Sequence, residues 1–198
     1  MNDLLIGALI ALISVYSGHR LSISMVVRRG SALESGLYAE FSILNNYLKG
    51  WLLKLYDEYN NPLRDKYSRL MPFDLDYFNN IVVELIAVNK SLTKDQRSFI
   101  VNVRNRMDTI KQKDVDRASV IERNIDELKF FVNKNDTAYL IADVAETIYY
   151  LDKFCEEKRN FSIVRSDMNF DHIKYGLEKS GVIMSEKVCV DLLRYAKG

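Results

Sequence analysis

The chain has few of the residues that make tight turns and few of those that bind metals. Its 198 residues include two prolines, eight glycines, two cysteines and two histidines. So little proline and glycine leaves little room for the many turns of an all-β fold. The cysteines, Cys155 and Cys189, belong to no CxxC or Cys/His cluster. They are therefore expected as packed thiols in a reducing compartment, with a single disulfide as the alternative.

Sequence motifs of the common enzyme classes are also missing. The chain has no P-loop, no Rossmann glycine fingerprint, no G-x-S-x-G elbow and no HExxH. Its two histidines, His19 and His172, lie far apart, so a zinc site would need carboxylates from distant helices. The paired Glu-x-x-His motif of a di-iron bundle does not occur either. We therefore expect neither a metal nor a cofactor.

Charge of neither sign is in excess. Lys and Arg number 28 against 27 Asp and Glu, which gives a formal net charge of +1. This balance gives no overall attraction to nucleic acid or acidic lipid, and no DNA partner is predicted. Hydrophobic residues make up 48% of the chain and charged residues 28%, which is typical of a globular protein. The length suggests one domain, with room for an anchor.

The clearest feature that is present is an apolar stretch near the N-terminus, Leu4 to Val27. It carries no charge up to Gly18 and is interrupted by His19 and Arg20. A helix needs about 20 mostly apolar residues to cross a bilayer, so the stretch is long enough if this interruption is tolerated. A charge inside a membrane usually faces protein or water. The stretch therefore predicts a transmembrane helix.

The charges that flank this stretch predict its orientation. The start of the chain is neutral to acidic, whereas Arg20, Arg28 and Arg29 come late or after the stretch. A cleaved signal peptide would have its basic residues first, and the basic flank of a membrane helix stays in the cytoplasm. We therefore predict a membrane helix in residues 1–29 of a bacterial inner membrane, with the N-terminus outside. Residues 30–198 would form a cytoplasmic helical domain.

The polar residues His19 and Arg20 suggest an assembly of several copies. One helix cannot form a channel, but several could turn this polar side inward around water and the Leu and Ile side chains toward the lipid bilayer. Small residues such as Gly7 and Gly18 would let the helices approach closely. His19 and Arg20 are thus predicted to line a pore in a homo-oligomer. The alternative is a buried first helix of a soluble bundle, with Arg20 at its rim.

Beyond residue 30, apolar residues recur at intervals of three and four, which is typical of amphipathic helices. The predicted helical segments are residues 33–60, a short turn at 63–70, a helix capped by Asp74, a run opened by the capping box Thr93–Gln96, a stripe at 141–155, Phe170–Lys179 and a last helix capped by Ser185. After the capping box, one very long helix to Val132 and two helices hinged near Lys113 both fit. The charged segment 111–117 is interpreted as a solvated face or loop. The fold class is an all-α bundle of four or five main helices.

One pair of residues has the chemistry for RNA cleavage. Arg165 and His172 are separated by six residues at a loop-to-helix junction. An arginine can hold a phosphate through its planar fork, and a histidine can move the proton of a ribose hydroxyl. The pair resembles the R-x4-6-H motif of HEPN domains, with Ser166 where that family commonly has Asn, Asp or His. The resemblance implies a metal-independent catalytic pair, and the alternative is a surface arginine with a solvated histidine.

The apolar N-terminus, the helical domain and this degenerate motif together resemble the small membrane accessory protein of type VI-B CRISPR systems. The resemblance implies a divergent HEPN-like domain and a ring-shaped assembly that forms a membrane pore. It also implies action beside an RNA-guided RNase effector in anti-phage defence. Two other functions fit the sequence: a HEPN-type RNase acting on RNA, and a soluble helical adaptor whose first helix binds a partner.

Overall fold

A computed structural model describes residues 2–73, 76–88, 92–124, 129–163 and 170–183, with side chains from residue 12 onward except at 122–124. Within these ranges the chain is mostly helical, which confirms the all-α prediction. The helices are α1 (Asn2–Asn60), α2 (Asp76–Ala87), α3 (Lys94–Ser119), α4 (Lys134–Glu157) and α5 (Phe170–Lys179). A 3-10 turn, Lys158–Asn160, follows α4. Among the side chains described, no helix combines the length and the apolarity needed to cross a membrane.

The contacts divide the chain into two compact units. The first contains residues 1–38 and 76–92, and the second contains residues 39–75 and 93–198. Helix α1 contributes to both. In the first unit, the buried side chains include Leu37 of α1 and Phe78, Ile81 and Leu85 of α2.

The second unit has its core on one stripe of α1. Phe41, Leu44, Leu48, Leu52 and Leu55 are all at most 1% exposed, at the spacing that the sequence predicted. The helix ends at Asn60, directly before Asn61-Pro62, because proline cannot continue the hydrogen-bond ladder. The predicted long helix is thus confirmed.

An aromatic cluster fills one end of this core. The rings of Phe99 and Phe154 stack with centroids 4.5 Å apart, and Phe41 meets Phe154 edge-on at 5.0 Å. Phe161, just after the 3-10 turn, packs on both Phe99 and Phe154. The cluster joins α1, α3 and α4, so large apolar rings fix how these helices pack.

Helix α3 begins at the predicted capping box. The Thr93 hydroxyl accepts from the Gln96 backbone N–H at 3.1 Å, and the Gln96 side chain accepts from the Thr93 N–H at 2.8 Å. Two of the N–H groups that a helix start leaves unpaired are satisfied in this way. The helix passes Lys113 without a hinge and ends at Ser119. The two other predicted caps, Asp74 and Ser185, lie outside the described residues.

A small antiparallel sheet replaces two of the predicted helical segments. Its strands are β1 (Leu63–Arg64), β2 (Glu122–Asn124) and β3 (Lys129–Phe131), in the order β1-β3-β2. Leu63 pairs with Phe131, and Glu122 pairs with Phe131 from the other side. The predicted helical turn at 63–70 and the predicted continuation of the helix to Val132 were therefore wrong. Pairing between segments remote in sequence overrides the local helical spacing.

Candidate functional site

The first candidate is the apolar segment, which we define as residues 12–27 of α1. Every residue in it is exposed, and nine large hydrophobic side chains are among them, including Leu12 at 69%, Val15 at 72% and Met25 at 70%. Met25, Val26 and Val27 are consecutive, and successive residues of a helix point about 100° apart, so apolar surface runs around the helix. No residue that the structure describes covers this surface.

His19 and Arg20 lie within the apolar segment, and both are exposed. The guanidinium carbon of Arg20 lies 5.3 Å from the ring centroid of Tyr16, one turn earlier, which is within cation–π range. The ring thus holds the charge along the helix surface. A single chain has no lumen, so the pore-lining role of both residues stays a prediction.

The second candidate is the environment of His172, near the start of α5. The side chain is only 7% exposed, and its ring lies flat on Tyr149 of α4, with centroids 3.8 Å apart and planes 11° apart. Tyr150 meets the same ring edge-on at 5.3 Å. The buried Nδ1 has no hydrogen-bond partner in the described part of the chain. The sequence alternative of a solvated histidine therefore does not describe His172.

The proposed catalytic partner, Arg165, lies outside the described residues. The arginine that the structure does bring toward His172 is Arg106 of α3, which pairs with Glu146 of α4. Its guanidinium carbon also lies 5.9 Å from the centroid of Tyr150. No local pattern indicates this arrangement, because Arg106 looks like any other charged residue of a helix surface.

Titratable groups near α5 respond to burial. Burial lowers the pKa of His172, the charges of Lys153 and Arg106 lower it further, and Asp171 opposes them. Burial and the charge of Asp152 raise the pKa of Tyr175 to about 12. Both shifts favour the uncharged ring at neutral pH. For His172 this is the neutral imidazole, the form that accepts a proton from a ribose hydroxyl, so its burial rather than its charge speaks against the catalytic role.

A third group of residues was missed by sequence reasoning altogether. Arg117 of α3, which the charged segment had suggested to be solvated, is 1% exposed. Its Nη1 donates to Glu58 Oε2 at 2.6 Å, and its Nη2 donates to Asp114 Oδ1 at 2.8 Å. Glu58 and Asp114 are as deeply buried, at 1% and 3%. The interpretation of 111–117 as a solvated face was therefore wrong at Asp114 and Arg117.

The signal that could have found this network is its helical spacing. Asp114 and Arg117 continue the apolar stripe of Met107 and Ile110 at intervals of four and three, so they face the core. A charge on such a stripe requires a buried partner of opposite sign. That partner, Glu58, lies on another helix and is invisible to local reasoning.

This buried network ties a loop to two helices. Arg117 Nη2 also donates to the Ser68 carbonyl at 2.6 Å, and Asp114 Oδ2 accepts from the Leu70 N–H at 2.8 Å. Glu58 accepts from the Ser68 N–H. Two carboxylates and one guanidinium thus satisfy backbone groups of the loop after β1, which is a structural role rather than a catalytic one.

A cleft of about 450 Å³ borders this network between α3 and α4. It is lined by Lys113, Asp116, Arg117, Val120, Asp136 and Tyr139. Both cations of this lining already have partners, since Lys113 pairs with Asp143 and Arg117 with Glu58. Among the residues described, no group of carboxylate, histidine and cysteine side chains is placed to hold a metal ion.

No family model, no curated protein and no solved structure matches this chain.

Proposed function

We propose that this protein is a membrane-anchored homo-oligomer, held in the bilayer by the apolar segment, with its helical domain in the cytoplasm. The observation that carries the proposal is the exposure of nine large hydrophobic side chains along residues 12–27. Burying each is worth about 1.5–3 kcal/mol, so leaving them in water forgoes on the order of 10 kcal/mol. In the sequence, residues 4–11 are also uncharged.

The polar residues of the apolar segment support an assembly rather than a lone anchor. His19 and Arg20 are costly in hydrocarbon unless they face water or protein. Several copies that turn these residues inward around water remove that cost and leave the Leu, Ile and Val side chains to lipid. We propose that such an oligomer forms a pore lined by His19 and Arg20.

The biological setting is proposed from the resemblance to the membrane accessory protein of type VI-B CRISPR systems. In that setting the oligomer assists an RNA-guided RNase effector during anti-phage defence. The HEPN-like pair Arg165 and His172 is the weaker part of the resemblance here, because His172 is buried against Tyr149. Its environment favours a packing role over RNA cleavage.

Fractionation of bacterial cells tests the anchor. The full chain is expected in the membrane pellet after a high-salt and alkaline wash, and it should need detergent for release. Val15→Arg places a charge in the apolar segment and should move protein to the soluble or degraded fraction. Val101→Arg is the matched control, since Val101 is also an exposed valine, at 57%, but lies on α3. A detergent-free monomeric wild type would overturn the proposal and favour the soluble adaptor.

Particle size and ion passage test the assembly. In detergent, the protein should run as a large symmetric particle, and in liposomes it should release trapped ions. Arg20→Glu reverses the charge that would line the lumen, so it should change cation against anion preference without changing particle size. An unchanged preference would remove Arg20 from the lumen, and absence of release would remove the pore.

Incubation with single-stranded RNA tests the other assignment. We expect no cleavage by the purified chain. Cleavage that is lost in His172→Ala but kept in His19→Ala would instead establish the HEPN-type RNase.

A further inference from the structure

Helix α5 is attached to the rest of its unit by an unusually close contact with α4. A Cβ atom at Gly176 would lie 2.0 Å from the carbonyl oxygen of Ala145, so the two backbones touch. Ile173 and Leu177, one on each side of this glycine, are 1% and 0% exposed. The docking of α5 therefore depends on a tight fit that tolerates little change in the groups beside it.

His172 lies inside this interface. Its ring is stacked on Tyr149, and its Nδ1 is buried without a hydrogen-bond partner among the described residues. A neutral imidazole with Nδ1 as the unprotonated nitrogen leaves only a lone pair unpaired. A proton at Nδ1 would create a buried charged donor with no acceptor, which is far more costly.

The charged and titratable groups around His172 come from three helices. Arg106 of α3, Lys153 of α4 and Asp171 of α5 act on its charge, and the rings of Tyr149 and Tyr150 of α4 contact it. One contact further away, Glu146 of α4 pairs with Arg106, and Tyr175 of α5 meets Tyr149. Glu146 is already neutralised by Arg106, and Asp171 is exposed to solvent. Lys153, and more weakly the paired Arg106, thus oppose a positive charge on His172, whereas Asp171 favours it.

We propose that His172 makes the docking of α5 on α4 sensitive to pH, so that protonation of its imidazole releases α5. The sign follows from the lowered pKa of the buried ring, since its ordinary value is 6.5. Docking is fully stabilised above that ordinary value and is weakened as the pH falls below it. Release would uncover Ile173, Leu177 and the α4 surface beneath them. The proposal is independent of the membrane anchor.

Hydrogen exchange of the full chain, in the detergent or buffer that keeps it monodisperse, tests this device. Backbone amides of residues 170–180 should lose protection as the pH is lowered from about 8 to about 5, the range in which histidine titrates. The exchange rates are first corrected for their intrinsic pH dependence. In His172→Phe, which keeps an aromatic ring but cannot be protonated, this loss should disappear. His19→Phe is the matched control: its amides at 170–180 should lose protection over the same pH range as those of the wild type.

Two outcomes would overturn the proposal. One is protection of α5 that does not change over this pH range in the wild type, and the other is an equal loss in His172→Phe. If α5 of His172→Phe shows no protection at any pH, the titration of the His172 imidazole itself serves as the test. In His19→Phe, His172 is the only histidine. Its pKa measured by NMR should lie below the ordinary value of 6.5, and α5 should lose protection over the pH range in which it titrates. A titration at or above the ordinary value refutes the device.

Discussion

Replacing Gly176 by alanine tests the packing of α5 on α4 most directly. The new methyl group would lie 2.0 Å from the Ala145 carbonyl oxygen and 2.6 Å from its carbonyl carbon. Ordinary van der Waals contact begins at 3.4 Å, so the helices must separate by about 1.4 Å. The obstacle is backbone, which cannot rotate aside as a flexible side chain does.

The expected magnitude follows from three contributions. Alanine favours a helix over glycine by about 1 kcal/mol, which stabilises the variant. Overpacking of this kind typically costs about 1–3 kcal/mol and occasionally more. If α5 detaches, Ile173 and Leu177 also lose burial worth about 1.5–3 kcal/mol each. Because backbone blocks the methyl group, we expect Gly176→Ala to detach α5, which relieves the clash and lowers the free energy of unfolding by about 2–5 kcal/mol, the lost burial of about 3–6 kcal/mol less the gain of about 1 kcal/mol from alanine.

Gly50→Ala is the matched control, because it has the same chemistry without the obstacle. Gly50 lies in the interior of α1 in the same unit, is exposed, and has nothing within 4 Å of the position that a Cβ would take. This variant should gain about 0.5–1 kcal/mol. Urea unfolding followed by far-UV circular dichroism compares the two midpoints. If Gly176→Ala were as stable as Gly50→Ala, the close approach of α5 to α4 would be incorrect.

Three other expectations follow from individual contacts. Arg117→Met should lower the free energy of unfolding by about 3–5 kcal/mol, because two buried carboxylates lose their cation. Lys111→Met, at an exposed position of the same helix, should change it by no more than about 0.5 kcal/mol. Equal effects of the two variants in urea unfolding would argue against the buried network. Thr93→Ala removes the N-cap of α3 and should cost about 1 kcal/mol, which thermal unfolding measures; no change would mean that the capping box is unimportant. Burial raises the pKa of Cys155 to about 11. Its alkylation at about pH 8 should therefore be at least roughly tenfold slower in the folded chain than in urea. Equal alkylation rates, measured by mass spectrometry, would contradict its burial.

The amino-acid sequence by itself determined the elements whose cause is local. The stripe of Phe41 and the leucines of α1 follows from the period of the helix, and Pro62 sets its end. The capping box at Thr93 follows from side chains that reach only three residues along the chain. The lack of charge from Leu4 to Gly18 is likewise a property of the sequence, whereas the exposure of residues 12–27 is a property of the structure.

Only the tertiary structure decided the features that join distant residues. β1 and β3 pair although nearly seventy positions separate them. The local spacing of their residues predicts helix, and only the pairing between the two segments makes them strands. Arg117 can be buried because it pairs with Glu58 on another helix. Without knowledge of that partner, its charge predicts a position on the protein surface. His172 likewise became a buried, stacked ring rather than a solvated one because Gly176 lets α5 approach α4. The physical reason is the same in each case: periodicity and capping act within one element, whereas burial of charge and strand pairing depend on which elements meet.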